Sequence, residues 1–410
     1  MDDLLVQIQQ WQFSDRHKAE QMLLGFVREI FPLNVIAVEL RPSVVSLNSF
    51  NGFLTLASGS RLFFKTHTEP DPVIGEFYNA AILIKAGYPM VRPLYSSIEA
   101  GRQFLIYEVV EDPSVFDVAW QIEGGDPRFA DLLTESQHRA DRELLDIYLE
   151  TSEIQSPKAA GVAAIHQLFY HRLTGRRLRG PYAHEATFVL PVGRCPMGEL
   201  RRRTWTINGQ RYTDNLDGLI DRSTHLLKPA RGGASVVGHG DAHNGNLFLR
   251  RNDGRLIYFD PAFGGRHDPI LDMAKPLFHN TFAMWMYYPE AKRDELKMHL
   301  RMTDDAVFIE HDYRLPAVRV MFLESKIDHV LTPLVYELRR RGWLSREWRM
   351  RLKAALFCCP LLTKDLADRS LFAADIGLLG LAFAVEMGAE STGERSLIDR
   401  ALDKVEEQVR

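Results

Sequence analysis

The chain has 410 residues, of which 46% are hydrophobic and 25% are charged, and its formal net charge is −4 at pH 7. It is long enough to bury a large core in two lobes, and its charge balance gives no reason to expect nucleic acid or an anionic membrane surface as a partner. No stretch approaches the roughly 18 apolar residues of a membrane-spanning helix, and the N-terminus lacks the basic and apolar segments of a signal peptide. The 3 cysteines form neither a disulfide framework nor a zinc-binding pattern, so we expect a cytoplasmic protein.

Two helices are predicted at the start of the chain, because residues 2–11 and 16–31 carry apolar side chains at three- and four-residue spacing. Runs with strand character come next, separated by turns of small polar residues over 48–52 and 58–60. These runs are 35–40, 44–47, 53–57 and 61–66. The pattern predicts an antiparallel meander.

The first corner of this meander contains Ser49, Asn51 and Gly52. Small and hydroxyl-bearing residues allow backbone N–H groups to approach phosphates closely, so the corner is a candidate phosphate-binding turn. A single glycine is a weak signal, however, and these residues taken alone favour a plain hairpin turn.

Lys65 lies in an apolar run, directly after Leu62-Phe63-Phe64. Burying an ammonium group alone is costly, so this lysine is expected to pair with an acid or to contact a ligand anion. Glu76, at the start of a predicted helix that ends at Gly87, is the expected partner, with Glu69 as the alternative. A solvated lysine on an edge strand is the competing interpretation.

Two further strands, over 91–95 and 103–110, would complete a five-stranded sheet with one helix. From there the pattern is helical to the C-terminus, apart from 182–212 and a hairpin within 236–275. We therefore predict a first domain over 1–111 and a mainly helical second domain over 112–410. The second domain contains a basic cluster at 172–179 and 201–203, which could bind an anionic acceptor through arginine side chains, although a solvated run of charges is more frequent.

The stretch 236–275 carries the residues that point to chemistry. A polar loop holds Asp241 and, five residues later, Asn246; a hairpin with an Asp253-Gly254 turn then leads to Asp260. A rigid hairpin can hold three such side chains within one small volume. Phosphoryl transfer needs this combination, because oxygen ligands must hold Mg²⁺ against the phosphates while another carboxylate orients the attacking hydroxyl.

These residues resemble the motifs of the aminoglycoside phosphotransferase and choline kinase superfamily of small-molecule kinases. The matching positions are His239-Gly240-Asp241 with Asn246, then Asp260, Asp268-Pro269 and Asp272-Met273-Ala274. Asp260-Pro261-Ala262 is similar to the fructosamine-kinase branch, and His267 stands where the family usually has glycine. The resemblance implies an α+β, protein-kinase-like two-lobed fold, with an antiparallel sheet and a helix in the N-lobe and a mainly helical C-lobe.

The resemblance also implies roles for individual residues. Asp241 would be catalytic, Asn246 and Asp260 would hold Mg²⁺, and His239 and Asp272 would be structural. Lys65 paired with Glu76 would position the phosphates of ATP (or GTP). The remaining implied nucleotide-binding residues are Ser49, Asn51, Gly52, Glu108 and Val110. The implied reaction moves the γ-phosphoryl group to a hydroxyl of a small molecule, such as a sugar, an amino alcohol or an antibiotic.

Two other interpretations stay open. His239, Asp241, His243 and Asp260 could be metal ligands of a hydrolase, although the glycines in the loop argue against the helical spacing of zinc-binding histidine pairs. A nucleotide-binding pseudokinase is the non-enzymatic alternative, since the first corner of the meander has so few glycines. Every catalytic position that can be matched is nevertheless filled.

Overall fold

The chain forms two compact units of mixed α-helices and β-sheets. The computed structural model describes residues 4–41, 49–67, 73–97 and 102–409, without the side chains of residues 49, 67 and 73–78. The first unit comprises Met1–Pro113 and Ile257–Gly264, and the second comprises Ser114–Leu256 and Gly265–Arg410. The domains predicted over 1–111 and 112–410 stay a prediction, and residues 257–264, after the hairpin turn, group with the first unit.

The described part of the first unit contains three helices and a five-stranded sheet. The helices are α1 (Leu4–Ser14), α2 (Arg16–Ile30) and α3 (Val73–Lys85), and the strands are β1 (Val35–Leu40), β2 (Ser49–Leu56), β3 (Arg61–His67), β4 (Pro93–Ser97) and β5 (Phe104–Glu108). The strand order is β1-β2-β3-β5-β4, and every neighbouring pair is antiparallel. The antiparallel sheet agrees with the prediction.

The core of the first unit explains why β3 presents Lys65 on the face opposite to the apolar one. Helix α2 begins after Asp15, whose side chain accepts a hydrogen bond from the backbone N–H of Lys18 at 3.1 Å. Buried residues of α1 and α2 belong to one apolar cluster with Phe64 and Phe104, whose rings stack 5.0 Å apart. Because side chains alternate along a strand, Phe64 faces this core and Lys65 faces away from it.

The predicted turn over 48–52 is wrong, because residues 49–52 form the first half of β2. Asn51 lies opposite Lys65 in the antiparallel register. A Cβ at Gly52 would lie 2.0 Å from the carbonyl oxygen of Glu39, so the glycine allows two strands to approach closely. The connection over 42–48 lies outside the described residues.

The second unit is mainly helical. Its helices are α4 (Val115–Glu123), α5 (Ala130–Thr151), α6 (Pro157–Gly161), α7 (Tyr170–Thr174), α8 (Arg176–Arg179), α9 (Met197–Arg202), α10 (Leu216–Leu226), α11 (Pro269–Asp272), α12 (Ala274–Thr281), α13 (Met284–Tyr287), α14 (Pro289–Glu295), α15 (Ala317–Lys326), α16 (Thr332–Arg340), α17 (Trp348–Thr363), α18 (Ala374–Gly388) and α19 (Leu397–Gln408). The remaining strands of the chain are β6 (Glu153–Gln155), β7 (Thr187–Leu190), β8 (Gly193–Pro196), β9 (Thr204–Ile207), β10 (Gln210–Tyr212), β11 (Gly233–Gly238), β12 (Leu247–Leu249), β13 (Leu256–Tyr258), β14 (Gly265–His267), β15 (Met298–Met302), β16 (Ala306–His311) and β17 (Ser391–Gly393).

A second five-stranded sheet corrects the prediction of helices alone after residue 275. Its order is β15-β16-β9-β10-β17, and β16 pairs with β9 in parallel. The β9–β10 hairpin lies within 182–212, the range predicted not to be helical, and Asn208 and Gly209 in its turn have the positive φ angles that a tight hairpin turn requires. Strands β15 and β16 were missed because β16 depends on pairing with a strand about a hundred residues earlier.

Helices α17 and α18 pack along each other and form much of the core of the second unit. Cys358 and Cys359 of α17 are buried in this core as free thiols. Every residue of α18 from Ile376 to Gly388 is buried. In the part of the chain that the structure describes, no helix combines the length and the apolar character needed to cross a membrane.

Candidate active site

The loop that carries Asp241 follows β11, the central strand of the sheet β14-β11-β6 in the second unit. Gly240 has a φ of 83°, a left-handed conformation that glycine adopts without strain. Its backbone N–H donates a hydrogen bond of 2.6 Å to Oδ1 of buried Asp272, and the hydroxyl of Tyr148 donates to Oδ2. Burial raises the pKa of Asp272, but His267, 3.1 Å away, and these hydrogen bonds outweigh burial and lower the pKa to about 2. An ionised Asp272 therefore holds the loop.

Asp241 is a carboxylate with cations around it. Its Oδ1 lies 3.6 Å from Nζ of Lys275 and accepts no hydrogen bond from the residues that the structure describes. Burial raises the pKa of Asp241, but Lys275, followed by His243 and Arg172, has the stronger effect, and the pKa is lowered overall. The side chain is 17% exposed. Oδ1 itself is buried, but the carboxylate is ionised and partly exposed, and such a group can accept a hydrogen bond from an acceptor hydroxyl.

Asn246 is fixed against the backbone of Asp241. Its Nδ2 donates to the carbonyl oxygen of Asp241 at 2.9 Å, and the backbone N–H of His243 donates to the same oxygen at 2.8 Å. Nδ1 of His243 accepts from the backbone N–H of Gly245 at 3.1 Å and caps the 3₁₀ turn Asn244–Asn246. Nδ1 of His243 is therefore already occupied by a hydrogen bond within the loop.

A buried polar chain extends from Asp241 and was not predicted from the sequence. Nζ of Lys275 lies 3.2 Å from Nε2 of His279, and Nδ1 of His279 lies 2.8 Å from the hydroxyl of Tyr287. Burial, reinforced by Lys275, holds the pKa of His279 well below its ordinary value. The imidazole is therefore neutral: Nε2 accepts from Lys275, and Nδ1–H donates to Tyr287. The available signal was the Lys-x-x-x-His spacing on α12.

Lys65 and Asp260 form an ion pair within the first unit. Nζ of Lys65 lies 2.6 Å from Oδ1 of Asp260, and the side chains are 12% and 30% exposed. Asp260 has a φ of 55°, which is uncommon for a residue other than glycine, and it precedes Pro261. Backbone strain of this kind concentrates at functional residues. Asn79 of α3 donates to the carbonyl oxygen of Pro261 at 3.2 Å and fixes this segment.

The sequence named Glu76 as the partner of Lys65, whereas the structure brings Asp260 to this lysine. Glu76 lies on α3, but its side chain is outside the described part of the chain, as is Glu69 altogether. The ion pair between Lys65 and Glu76 stays a prediction.

The other predicted nucleotide contacts lie on the sheet of the first unit. Ser49, Asn51 and Gly52 belong to β2, Glu108 is the last residue of β5, and Val110 follows two residues later. Their contact with a nucleotide also stays a prediction. Among the described residues, no group of three or more His, Cys, Asp or Glu side chains is arranged to hold a metal ion.

Comparison with known proteins finds similarity only among solved structures, since no family model and no curated protein matches the sequence. A candidate fructosamine-3-kinase from Thermobifida fusca YX-ER1 is 16% identical, with 88% of this chain and 96% of that chain covered and a TM-score of 0.42. A thermostable mutant of aminoglycoside phosphotransferase APH(4)-Ia is 13% identical over 89% and 96%, with a TM-score of 0.44. Plasmodium vivax ethanolamine kinase is 10% identical over 90% and 89%, with a TM-score of 0.45.

All three are named as kinases or phosphotransferases. The named acceptors differ, from fructosamine to an aminoglycoside to ethanolamine.

Proposed function

We propose that the protein transfers the γ-phosphoryl group of ATP (or GTP) to a hydroxyl group of a small molecule. The observation that supports this most is the environment of Asp241. It is an ionised, partly exposed carboxylate, and it lies in a loop held by Asp272 and by Asn246. Phosphoryl transfer requires such a group to orient the attacking hydroxyl.

Asp241 accepts a hydrogen bond from the acceptor hydroxyl and directs its oxygen toward the γ-phosphorus. As the new O–P bond forms, the bond from the γ-phosphorus to the β–γ bridging oxygen breaks and the nucleoside diphosphate leaves. The hydroxyl proton passes to the carboxylate of Asp241, which returns it to solvent after the product leaves. A buried carboxylate with a lowered pKa is suited to orienting the hydroxyl early and taking the proton late.

Asn246 and Asp260 would hold the Mg²⁺ ion that accompanies the nucleotide. Both offer oxygen donors, which Mg²⁺ prefers. Nδ2 of Asn246 already donates to the backbone of Asp241, so its amide oxygen is the atom suited to a cation. When bound, Mg²⁺ neutralises charge on the phosphates. The ammonium group of Lys65 would contact phosphate oxygens of the nucleotide. It is paired with the carboxylate of Asp260 in the structure.

The test is nucleotide turnover with Mg²⁺ in the presence of pooled hydroxylated metabolites and aminoglycosides. Asp241→Asn removes the charge at nearly constant size and should lower acceptor-stimulated release of diphosphate by about 10²–10⁴-fold, the usual contribution of general acid–base catalysis. Asp253→Asn in the hairpin turn is the matched control and should retain wild-type turnover, because the carboxylate of Asp253 accepts hydrogen bonds from the side chain of Arg250 and the backbone N–H of Arg255 in the same turn.

Two outcomes would contradict the proposal. The first is undiminished turnover in Asp241→Asn, which would exclude this carboxylate from the reaction. The second is failure of the wild-type protein to bind the non-hydrolysable analogue AMP-PNP with Mg²⁺ in an equilibrium titration, which would exclude the nucleotide as a substrate.

A further inference from the structure

The charged groups that act on Asp241 are mainly cationic. Those that lower its pKa are Lys275, His243, Arg172 and His239, in that order. Lys275 is buried and lies between Asp241 and the neutral ring of His279. One carboxylate balances one cation, so the guanidinium of Arg172 is left in excess at this place.

Arg172 lies on α7, which packs against α17. On α17, Sγ of Cys359 lies 3.9 Å from the carbonyl oxygen of Ala274, the residue before Lys275. Packing through α17 and α12 thus connects the helix of Arg172 to the cluster at Asp241. The mutual effect of Arg172 and Asp241 on each other's pKa agrees with this packing.

Arg172 is half-buried, and among the residues that the structure describes its guanidinium makes no hydrogen bond and no ion pair. Burial, and after it Arg177, lowers the pKa of Arg172 to about 10. A desolvated guanidinium without an acid partner is costly, because its five N–H donors lose water without gaining acceptors. The unpaired charge lowers the stability of the fold. A ligand that accepts hydrogen bonds from this guanidinium is therefore the simplest reason for its presence.

The other arginines of the predicted basic surface do not have this combination of burial and missing partners. Arg177 donates to a backbone carbonyl at 2.9 Å, Arg201 to Asp217 at 2.7 Å, and Arg203 to a backbone carbonyl at 2.9 Å. The exposed members are Arg176, Arg177, Arg179 and Arg202. The basic surface therefore reduces to Arg172 as the candidate ligand-binding residue.

We propose that Arg172 binds an anionic group, a carboxylate or a phosphate, of a substrate held beside Asp241. The proposal rests on the proposed function and narrows its acceptor to anionic small molecules, unless the anion is the γ-phosphate of the nucleotide. The planar guanidinium offers two parallel N–H donors to two oxygens of either group, which a lysine cannot match. An anionic acceptor and the γ-phosphate of the nucleotide would contact the guanidinium in the same way. Competition with a nucleotide distinguishes the two.

The experiment is an equilibrium titration of the full-length protein with inorganic phosphate, which needs neither turnover nor a known acceptor. We expect wild type to bind phosphate at millimolar concentrations and Arg172→Gln to bind it about tenfold more weakly, the loss of one charge-assisted contact. Arg172→Lys keeps the positive charge but lacks the two parallel N–H donors, so its affinity for phosphate should lie between those of wild type and Arg172→Gln. Arg176→Gln, an exposed neighbour, is the matched control and should equal wild type.

Repeating the titration with protein saturated by AMP-PNP and Mg²⁺ identifies the source of the anion. Phosphate binding that persists assigns the site to the acceptor, whereas competition assigns it to the γ-phosphate. Equal phosphate affinity in wild type and Arg172→Gln, or no binding by wild type, would overturn the proposal. The thermal midpoint of Arg172→Gln shows whether this variant is folded. If it is not, the proposal is tested by the phosphate affinity of Arg172→Lys, and an affinity equal to that of wild type would overturn it. If wild type binds phosphate, Arg172→Gln binds it more weakly and wild type has no kinase activity, the site at Arg172 stands and the proposed function is refuted.

Discussion

The protonation state of Asp241 is the residue-scale property on which the proposed chemistry depends. Burial opposes ionisation, whereas the ammonium of Lys275 at 3.6 Å favours it, and the net effect is a lowered pKa. Lys275 can supply this charge because His279 accepts its hydrogen bond without adding a charge of its own. The pair on α12 therefore acts on Asp241 as one unit.

Replacing Lys275 by Gln should move the acidic limb of the pH–rate profile to higher pH. The active form of Asp241 is the carboxylate, so activity is lost as the pH falls through its pKa. Without the ammonium, the largest of the effects that oppose burial is lost, so the pKa rises and activity is lost at a higher pH. The measurement is kcat/KM against pH once an acceptor is known. Lys158→Gln, at an exposed lysine, should leave the profile unchanged, and an unmoved limb in Lys275→Gln would refute this role of Lys275.

At the scale of elements, the catalytic loop is fixed by hydrogen bonds from its surroundings rather than by regular structure of its own. Asp272 at the end of α11 holds Gly240, and Asn280 of α12 accepts from the backbone N–H of Asn244 at 2.7 Å. Tyr148 of α5 donates to Asp272 and fixes its carboxylate in turn. Loops anchored in this way position a reacting group within a fraction of an ångström.

Gly238→Ala should disturb this anchoring. A Cβ at Gly238 would lie 2.5 Å from both Oδ2 of Asp272 and Nε2 of His267, so these buried side chains would have to move. We expect a loss of about 1–3 kcal/mol in the free energy of unfolding, as for other overpacked sites, and a lower kcat. Urea denaturation and steady-state kinetics check the two effects.

Gly25→Ala on α2 is the matched control for that substitution. A Cβ at Gly25 meets nothing within 4 Å, and alanine is the better helix former, so stability should be unchanged or slightly higher. A Gly238→Ala protein as stable and active as wild type would show that the contact with Asp272 does not restrain the loop.

Elements built from local signals could be predicted from the sequence, and those that depend on distant pairing could not. The Asp253-Gly254 turn and the five-residue interval from Asp241 to Asn246 are local, and the structure has a turn closed by a hydrogen bond from Gly254 to Arg250. The contact of Lys275 with Asp241 depends on the packing of α12 and leaves only a weak trace in the sequence. Strand β16 likewise depends on its parallel pairing with β9, which its own residues do not indicate.

At the scale of the whole molecule, the residues of one short motif are divided between two compact units. Asp241 and Asn246 belong to the second unit, whereas Asp260 belongs to the first. Phe259 explains the division, because its ring packs against those of Phe63 and Tyr107 in the first unit, with centroids 5.9 and 5.3 Å apart. Asp260, which follows the second strand of the hairpin, therefore lies at the sheet that carries Lys65.

Binding of AMP-PNP with Mg²⁺ should raise the thermal stability of the whole chain, and Asp260→Asn should lose most of the part that depends on Mg²⁺. A ligand that binds only the folded state adds about 2.7 kcal/mol when its concentration is 100 times Kd. Asparagine tolerates the left-handed backbone of Asp260 and can still accept from Lys65, so this substitution removes the charge and leaves the local fold. The measurement compares thermal midpoints with AMP-PNP, with and without Mg²⁺. The hairpin-turn variant Asp253→Asn should respond as wild type does, and an equal Mg²⁺-dependent increase in Asp260→Asn would exclude Asp260 as a metal ligand.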